Sequence, residues 1–146
     1  MVDLVIDYGQ IKKIIKQSSL LILVTGRCLE KHSNESKIQF LITHFGNKSG
    51  GVRKVPLMRV KVDYGYVLIG SNGGSEKNPV WVYNFRANPD VELRDGTEVF
   101  RMRIREVHED PERSNLWEAG VKAFATYNEY KSKTPRKIPV FIAEPS

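Results

Sequence analysis

The feature that most constrains this chain is a succession of strand-length apolar or alternating runs separated by turn residues. These runs fall at 20–25, 38–43, 52–62, 66–71, 91–94, 97–107 and 138–143. Asp63-Tyr64-Gly65 turns the third run into the fourth, and Asp95-Gly96 turns the fifth into the sixth. Connections this short join antiparallel neighbours, because a parallel pair needs a crossover of about a dozen residues or more. Pro56 lacks a ladder N–H, so the run that contains it belongs at a sheet edge or a bulge. Helical signals interrupt the strands twice. Asn78-Pro79 reads as an N-cap followed by a first-turn proline, opening a helix that stops before Pro89. Asp110-Pro111 opens a second, carrying Leu116, Trp117, Ala119 and Val121. These elements predict an α+β, mainly antiparallel fold: a small barrel with helices packed outside it. At 146 residues the chain suits one domain, 1–146.

Ahead of that pattern, residues 8–18 read as a short amphipathic helix, with Ile11, Ile14 and Ile15 opposite lysines, and 26–37 as a polar loop. A single cysteine, Cys28, excludes an intramolecular disulfide framework. His32, His44 and His108 stand far apart, so no metal site is expected. No apolar run approaches the roughly 20 residues of a spanning helix, and the start MVDLVIDYGQ lacks signal-peptide order. The expected location is cytoplasmic. The N-terminal Ile/Lys helix leaves open a peripheral contact with the inner face of a membrane.

The net charge of +6 is unevenly spread. Between Gly46 and Lys61 lie Lys48, Arg53, Lys54, Arg59 and Lys61 with no acid, and Lys131, Lys133, Arg136 and Lys137 form a second acid-free stretch. Such clusters favour an anionic partner. Nucleic acid is not the expected one, because aromatics are not interleaved with the 46–61 stretch. In that stretch Gly46-Asn47-Lys48-Ser49-Gly50-Gly51 exposes backbone N–H groups beside Lys48 and Arg53, which suits a phosphate or carboxylate tail. It lacks the spacer of a Walker loop. A second segment, Ser71-Asn72-Gly73-Gly74-Ser75-Glu76-Lys77-Asn78-Pro79-Val80-Trp81, runs a Gly-Gly loop into a helix and permits close approach to a flat or anionic ligand. Neither a Ser-His-Asp set nor a carboxylate pair stands out.

Together the two segments, THFGNKSGGVRKVPL and IGSNGGSEKNPVWVYNFRANP, resemble the deazaflavin-dependent nitroreductase family. The family pattern there is TTGRxSG…R..PL followed by A-S-x-G-G-x-x-K/R-x-P-x-W…N..A-N-P. The likeness continues through Phe124-Ala-Thr-Tyr127-Asn-Glu-Tyr130 and the ending Arg136-Lys-Ile-Pro139 to Glu144-Pro145, covering 38–145; residues 1–37 match poorly. Asn47 stands where the family has arginine, and Phe124 replaces its first tyrosine.

The resemblance implies a split β-barrel of the FMN-binding, pyridoxamine-phosphate-oxidase type that binds coenzyme F420. It implies hydride transfer to a small organic acceptor such as a nitro-heterocycle, enone or quinone. Lys48, Ser49, Gly50 and Arg53 would meet the anionic side of the cofactor, and Pro56, Leu57 and Met58 its ring and ribityl chain. Ser71, Asn72, Gly73 and Gly74 would line the ring, with Lys77, Trp81 and Asn84 completing the pocket. Ser71, Tyr127 and Tyr130 would face the substrate and relay a proton. The alternatives are an FMN-dependent oxidoreductase and a non-catalytic flavin- or deazaflavin-binding protein. Monomer and homodimer are both compatible with the sequence.

Overall fold

A computed structural model describes residues 39–146. The helix expected at 8–18, the strand at 20–25 and the loop at 26–37 lie outside the described residues. The chain begins with β1 (Gln39–Phe45), β2 (Val52–Met58), β3 (Lys61–Val62) and β4 (Gly65–Ile69), then a single helical turn at Asn72–Gly74. Helix α1 (Val80–Ala87), strands β5 (Asp90–Asp95) and β6 (Glu98–Glu106), helices α2 (Glu112–Ala123) and α3 (Thr126–Lys133), and strand β7 (Val140–Pro145) complete it.

All strand pairs are antiparallel, in the order β2-β1-β5-β6-β7-β4-β3. This order dictates the shape. β2 and β3 occupy opposite edges, yet only Arg59 and Val60 separate them in sequence. Laid flat, seven strands would hold their edges about 29 Å apart. The three steps from Met58 to Lys61 reach at most about 11 Å. The sheet therefore curls until its edges approach, as an antiparallel barrel requires. Val60 O accepts a hydrogen bond from Val67 N (2.8 Å), fastening the crossing to β4. Arg59 Nε reaches both carboxylate oxygens of Asp95 (2.9 Å each), and the Tyr66 hydroxyl donates to the same carboxylate (2.8 Å). The run expected to be one strand over 52–62 is thus broken at Arg59–Val60, where the chain crosses from one edge to the other. Pro56 does lie on an edge strand, opposite Leu41.

Strands β4 and β7 are buried on both faces, which is why they read as continuous apolar runs. Tyr66, Leu68, Phe141 and Ala143 face inward with Phe40, Ile42 and α1's Trp81, Val82 and Phe85. Val67, Ile69, Val140 and Ile142 face outward, under Leu116 and Trp117 of α2 and Tyr127 of α3.

Two details depart from the sequence reading. Asn78 does not cap α1: the helix starts after Pro79, without a side-chain cap, and the Asn78 amide oxygen accepts from Arg136 instead (2.6 Å). A third helix, α3, follows α2 after a break at Phe124–Ala125. The second helix does open just after Asp110-Pro111: Pro111 is its N-cap residue, and Asp110, one residue before it, accepts at Oδ1 from Ser114 N (2.9 Å) and Ser114 Oγ (2.6 Å).

Candidate cofactor site

The β1–β2 hairpin ends at the Phe45–Val52 pair, and the glycine-rich turn closes on itself beyond it. Gly46 N donates to Gly51 O (2.8 Å), and Gly50 N to Gly46 O (2.9 Å). Ser49 Oγ accepts from Gly51 N (3.2 Å) and from Arg53 Nη2 (3.1 Å). Lys48, Ser49, Gly50 and Arg53 are all exposed. Among the described residues, neither Lys48 nor Arg53 has a carboxylate partner. Within the described residues the turn thus presents two cations without a carboxylate partner. Pro56, Leu57 and Met58 are half-buried along β2; Leu57 packs towards the interior and Met58 against the outer core.

The second segment is held in a different way. Asn72, Gly73 and Gly74 all take positive φ (47°, 63° and 80°), and Gly74 N donates to Ser71 O (2.9 Å). The Asn72 side chain closes the loop by donating to Lys77 O (2.9 Å). Gly74 is required twice over. Its φ lies in the left-handed region, and a Cβ there would meet Tyr130 O and Lys133 Cβ at 3.0 Å. The loop therefore lies directly against α3. Ser71 is buried, whereas Asn72, Gly73 and Lys77 are exposed.

One hydrogen bond joins the two segments: Asn47 N donates to Asn84 Oδ1 (2.8 Å). Asn84, buried on α1, fixes the basic turn to the helix that the second segment leads into. Asn47 keeps a structural use through its backbone, although its side chain lacks the family's guanidinium. Trp81 belongs to the core, with ring centroids 5.0 Å from Phe85 and 5.9 Å from Phe141.

On α3, Tyr127 is buried and stacks edge-on against Phe124 at 5.2 Å. Burial, with Tyr130 adding to it, pushes its phenol well above the ordinary range, so the hydroxyl keeps its proton. Tyr130 is half-buried beside it, ring centroids 6.4 Å apart.

Two residues escaped the sequence reading. Arg136 grips the Ser71–Asn78 loop, although only its place in a basic stretch and in the family-like ending had marked it, neither with a role. His44 continues the inward alternation of Phe40 and Ile42, stacks edge-on against Phe85 (5.0 Å), and has a buried Nδ1 without a hydrogen-bond partner. Nothing in the spacing of the three histidines singled it out. Among the described residues, no cluster of His, Cys, Asp or Glu is placed to hold a metal ion. No described helix is long and apolar enough to cross a membrane.

A curled antiparallel sheet of seven strands with three helices is the arrangement of split β-barrel flavin and deazaflavin oxidoreductases. Far more distant solved structures, pyridoxamine-phosphate-oxidase types among them, share this fold alone. The chain belongs to the F420H(2)-dependent quinone reductase family, whose model matches residues 19–145. The family match thus reaches N-terminal of residue 38. The F420H(2)-dependent quinone reductase Rv1261c of Mycobacterium tuberculosis is 33% identical over 99 residues, which span 66% of this chain and 66% of that protein. A solved F420H2-dependent reductase, FDR-A, is 43% identical over 74% of this chain and 95% of its own, with a TM-score of 0.69. A structure described as a domain-swapped dimer is 38% identical over 93% of this chain and 95% of its own, also at TM-score 0.69. The family's members are oxidoreductases named for the reduced deazaflavin, and nothing in the match calls for FMN.

The donor set fits that cofactor. F420 carries a phosphate and a carboxylate-bearing tail on a planar ring. The turn offers exposed Lys48 and Arg53 with no carboxylate partner among the described residues, beside an edge strand with half-buried apolar residues.

Proposed function

We propose that this chain binds reduced coenzyme F420 and delivers its hydride to a small organic acceptor, foremost a quinone. Nitro-heterocycles and enones are further acceptors of the same electronic type. The observation that carries the reading is the pair of exposed cations, Lys48 and Arg53, which no carboxylate among the described residues pairs with, on a turn anchored to α1 through Asn84.

When bound, the reduced deazaflavin supplies the hydride. The protein's own part is to bind, orient and protonate. Lys48 and Arg53 bind the anionic side, with Ser49 Oγ holding the Arg53 guanidinium in place. Pro56, Leu57 and Met58 border the ring, and the 71–74 loop closes beside it. Lys77 adds charge at the loop's far end, while Trp81 and Asn84 act from beneath, as core and as anchor. An acceptor that takes a hydride must also take a proton. Ser71 Oγ and the hydroxyls of Tyr127 and Tyr130 are the candidate donors. Burial holds the proton on Tyr127 across the physiological range, so it can donate a hydrogen bond without ionising.

The test is to titrate the purified chain with F420 and to follow oxidation of F420H2 on adding menadione, a nitroimidazole or cyclohexenone. Binding in the micromolar range with quinone turnover is expected. No binding at micromolar cofactor would sink the reading, and binding without turnover on any acceptor would reduce the chain to a carrier. The domain-swapped relative supports self-association, so a dimeric mass in light scattering is expected; a monomer at all concentrations would remove that part.

A further inference from the structure

We propose that Arg136 is a positioning residue that sets the cofactor-binding conformation of the 70–78 loop, an inference that rests on the F420 reading above. Its guanidinium donates to four acceptors on that one segment. Nε reaches Ser75 O (2.8 Å), Nη1 the Asn78 side-chain oxygen (2.6 Å), and Nη2 both Ser71 O (2.8 Å) and Gly70 O (3.2 Å). All four are neutral oxygens, and no carboxylate among the described residues competes for the group.

Among the other arginines bonded across the described fold, Arg113 gives a single bond to a backbone carbonyl, Ile138 O (2.6 Å). Arg59, Arg86, Arg103 and Arg105 each meet an aspartate or glutamate. An arginine that gives four of its five N–H donors to backbone carbonyls and one amide of a single segment fixes that segment's shape. It also brings a full positive charge beneath a segment expected to approach an anionic, electron-rich ligand.

The loop needs such a clamp. Three consecutive residues with positive φ, one of them the non-glycine Asn72, form a conformation that an isolated chain has little reason to hold. Gly74 N→Ser71 O and Ser75 N→Asn72 O are short-range bonds that close a single turn. Because C=O and N–H point oppositely in a planar trans peptide, gripping the Gly70 and Ser71 carbonyls also fixes the direction of the Ser71 and Asn72 N–H groups. One arginine thus fixes the backbone from which the Ser71 side chain projects. Lysine cannot substitute for it, since a point-charge ammonium cannot reproduce a planar fork with donors on both faces of the loop.

The experiment has a cofactor-free arm and a cofactor arm. In the free chain, Arg136→Met is expected to speed amide exchange at Gly74 and Ser75 while β4 and β7 amides keep wild-type protection. With F420, the same variant is expected to bind about 10- to 100-fold more weakly, the scale of a small misplacement of a positioned group. Millimolar guanidinium is expected to restore part of that affinity, and equal ammonium to restore none. Wild-type affinity in Arg136→Met overturns the proposal. So does faster exchange throughout the barrel without guanidinium rescue, which marks a general loss of fold. Should Arg136→Met not fold, Arg136→Lys and Asn78→Ala carry the same readouts, with the Asn78 variant expected to show the smaller effect. A wild-type chain that fails to bind F420 defeats the functional reading, and the exchange arm then judges the clamp by itself.

Discussion

His44 shows how one buried side chain links the site to pH. Burial lowers its pKa below the ordinary 6.5, with a hydrogen bond donated to the Phe45 backbone opposing and the Arg53 charge adding to the lowering. A cation-forming group with a depressed folded pKa binds fewer protons folded than unfolded. Its effect is absent well above 6.5; as pH falls through 6.5, the unfolded chain protonates first and stability is lost. His44→Leu is therefore expected to flatten the loss of urea resistance between pH 7.5 and 5.5, and equal slopes in both proteins would refute the assignment. Lys48 and Arg53 act at the same scale through charge rather than burial. Removing either cation is expected to weaken F420 binding by roughly tenfold at low salt, with the deficit shrinking as salt screens the remaining attraction. A deficit independent of salt would mean that the side chain serves packing instead. Neither effect was legible beforehand in full. The Gly46–Lys61 charge pattern marked Lys48 and Arg53, but the isolation of His44 depends on Phe85, forty-one positions away.

At the scale of elements, the strands were legible where burial is two-sided or turns are local. β4 and β7 announce themselves as apolar runs because helices cover one face and the barrel interior the other. The β5–β6 hairpin follows from Asp95-Gly96, where Gly96 takes φ +64°. What failed is what depends on distant partners. Asn78 has the residue type of a cap, yet Arg136, 58 positions on, takes its oxygen. The break between β2 and β3 belongs to sheet closure, which no local pattern encodes. The 71–74 loop is legible as flexible sequence but not as rigid structure, because its rigidity comes from α3 and Arg136. Gly74→Ala tests that rigidity. The new methyl would meet Tyr130 O and Lys133 Cβ at 3.0 Å in a conformation with φ +80°. The expected cost is about 1–3 kcal/mol, with weaker cofactor binding; Gly73→Ala, whose methyl would meet nothing, should cost less, through φ alone. Equal losses would mean that the α3 contact is slack.

The whole molecule depends on a seam that two residues of chain must span. Arg59 leaves β2 and Tyr66 belongs to β4, on the far side of the sheet order; both bond to Asp95 at the end of β5. Three strands that the sheet order separates are thereby pinned at one carboxylate. Burial alone would raise the Asp95 pKa, but the hydrogen bonds from Arg59 and Tyr66 outweigh it and hold the group below 3.8. A depressed carboxylate contributes stability above its unfolded pKa and loses it as pH falls through the folded value, so the pin holds at neutral pH and weakens only in strong acid. Burial and the same carboxylate push the Tyr66 phenol up to about 12, which keeps it a donor throughout that range. Asp95→Ala strands a buried hydroxyl and a half-buried guanidinium together, at an expected cost of about 1–3 kcal/mol. The Arg103–Asp90 pair supplies the comparison on the same sheet, with side chains 62% and 72% exposed and a similar 3.0 Å contact. There Asp90→Ala is expected to cost under about 1 kcal/mol, because water already competes for both charges. Urea midpoints for the two variants decide the matter. If they shift equally, the seam is held by the apolar interior alone, and closure follows from the chain's short crossing without help from the pin.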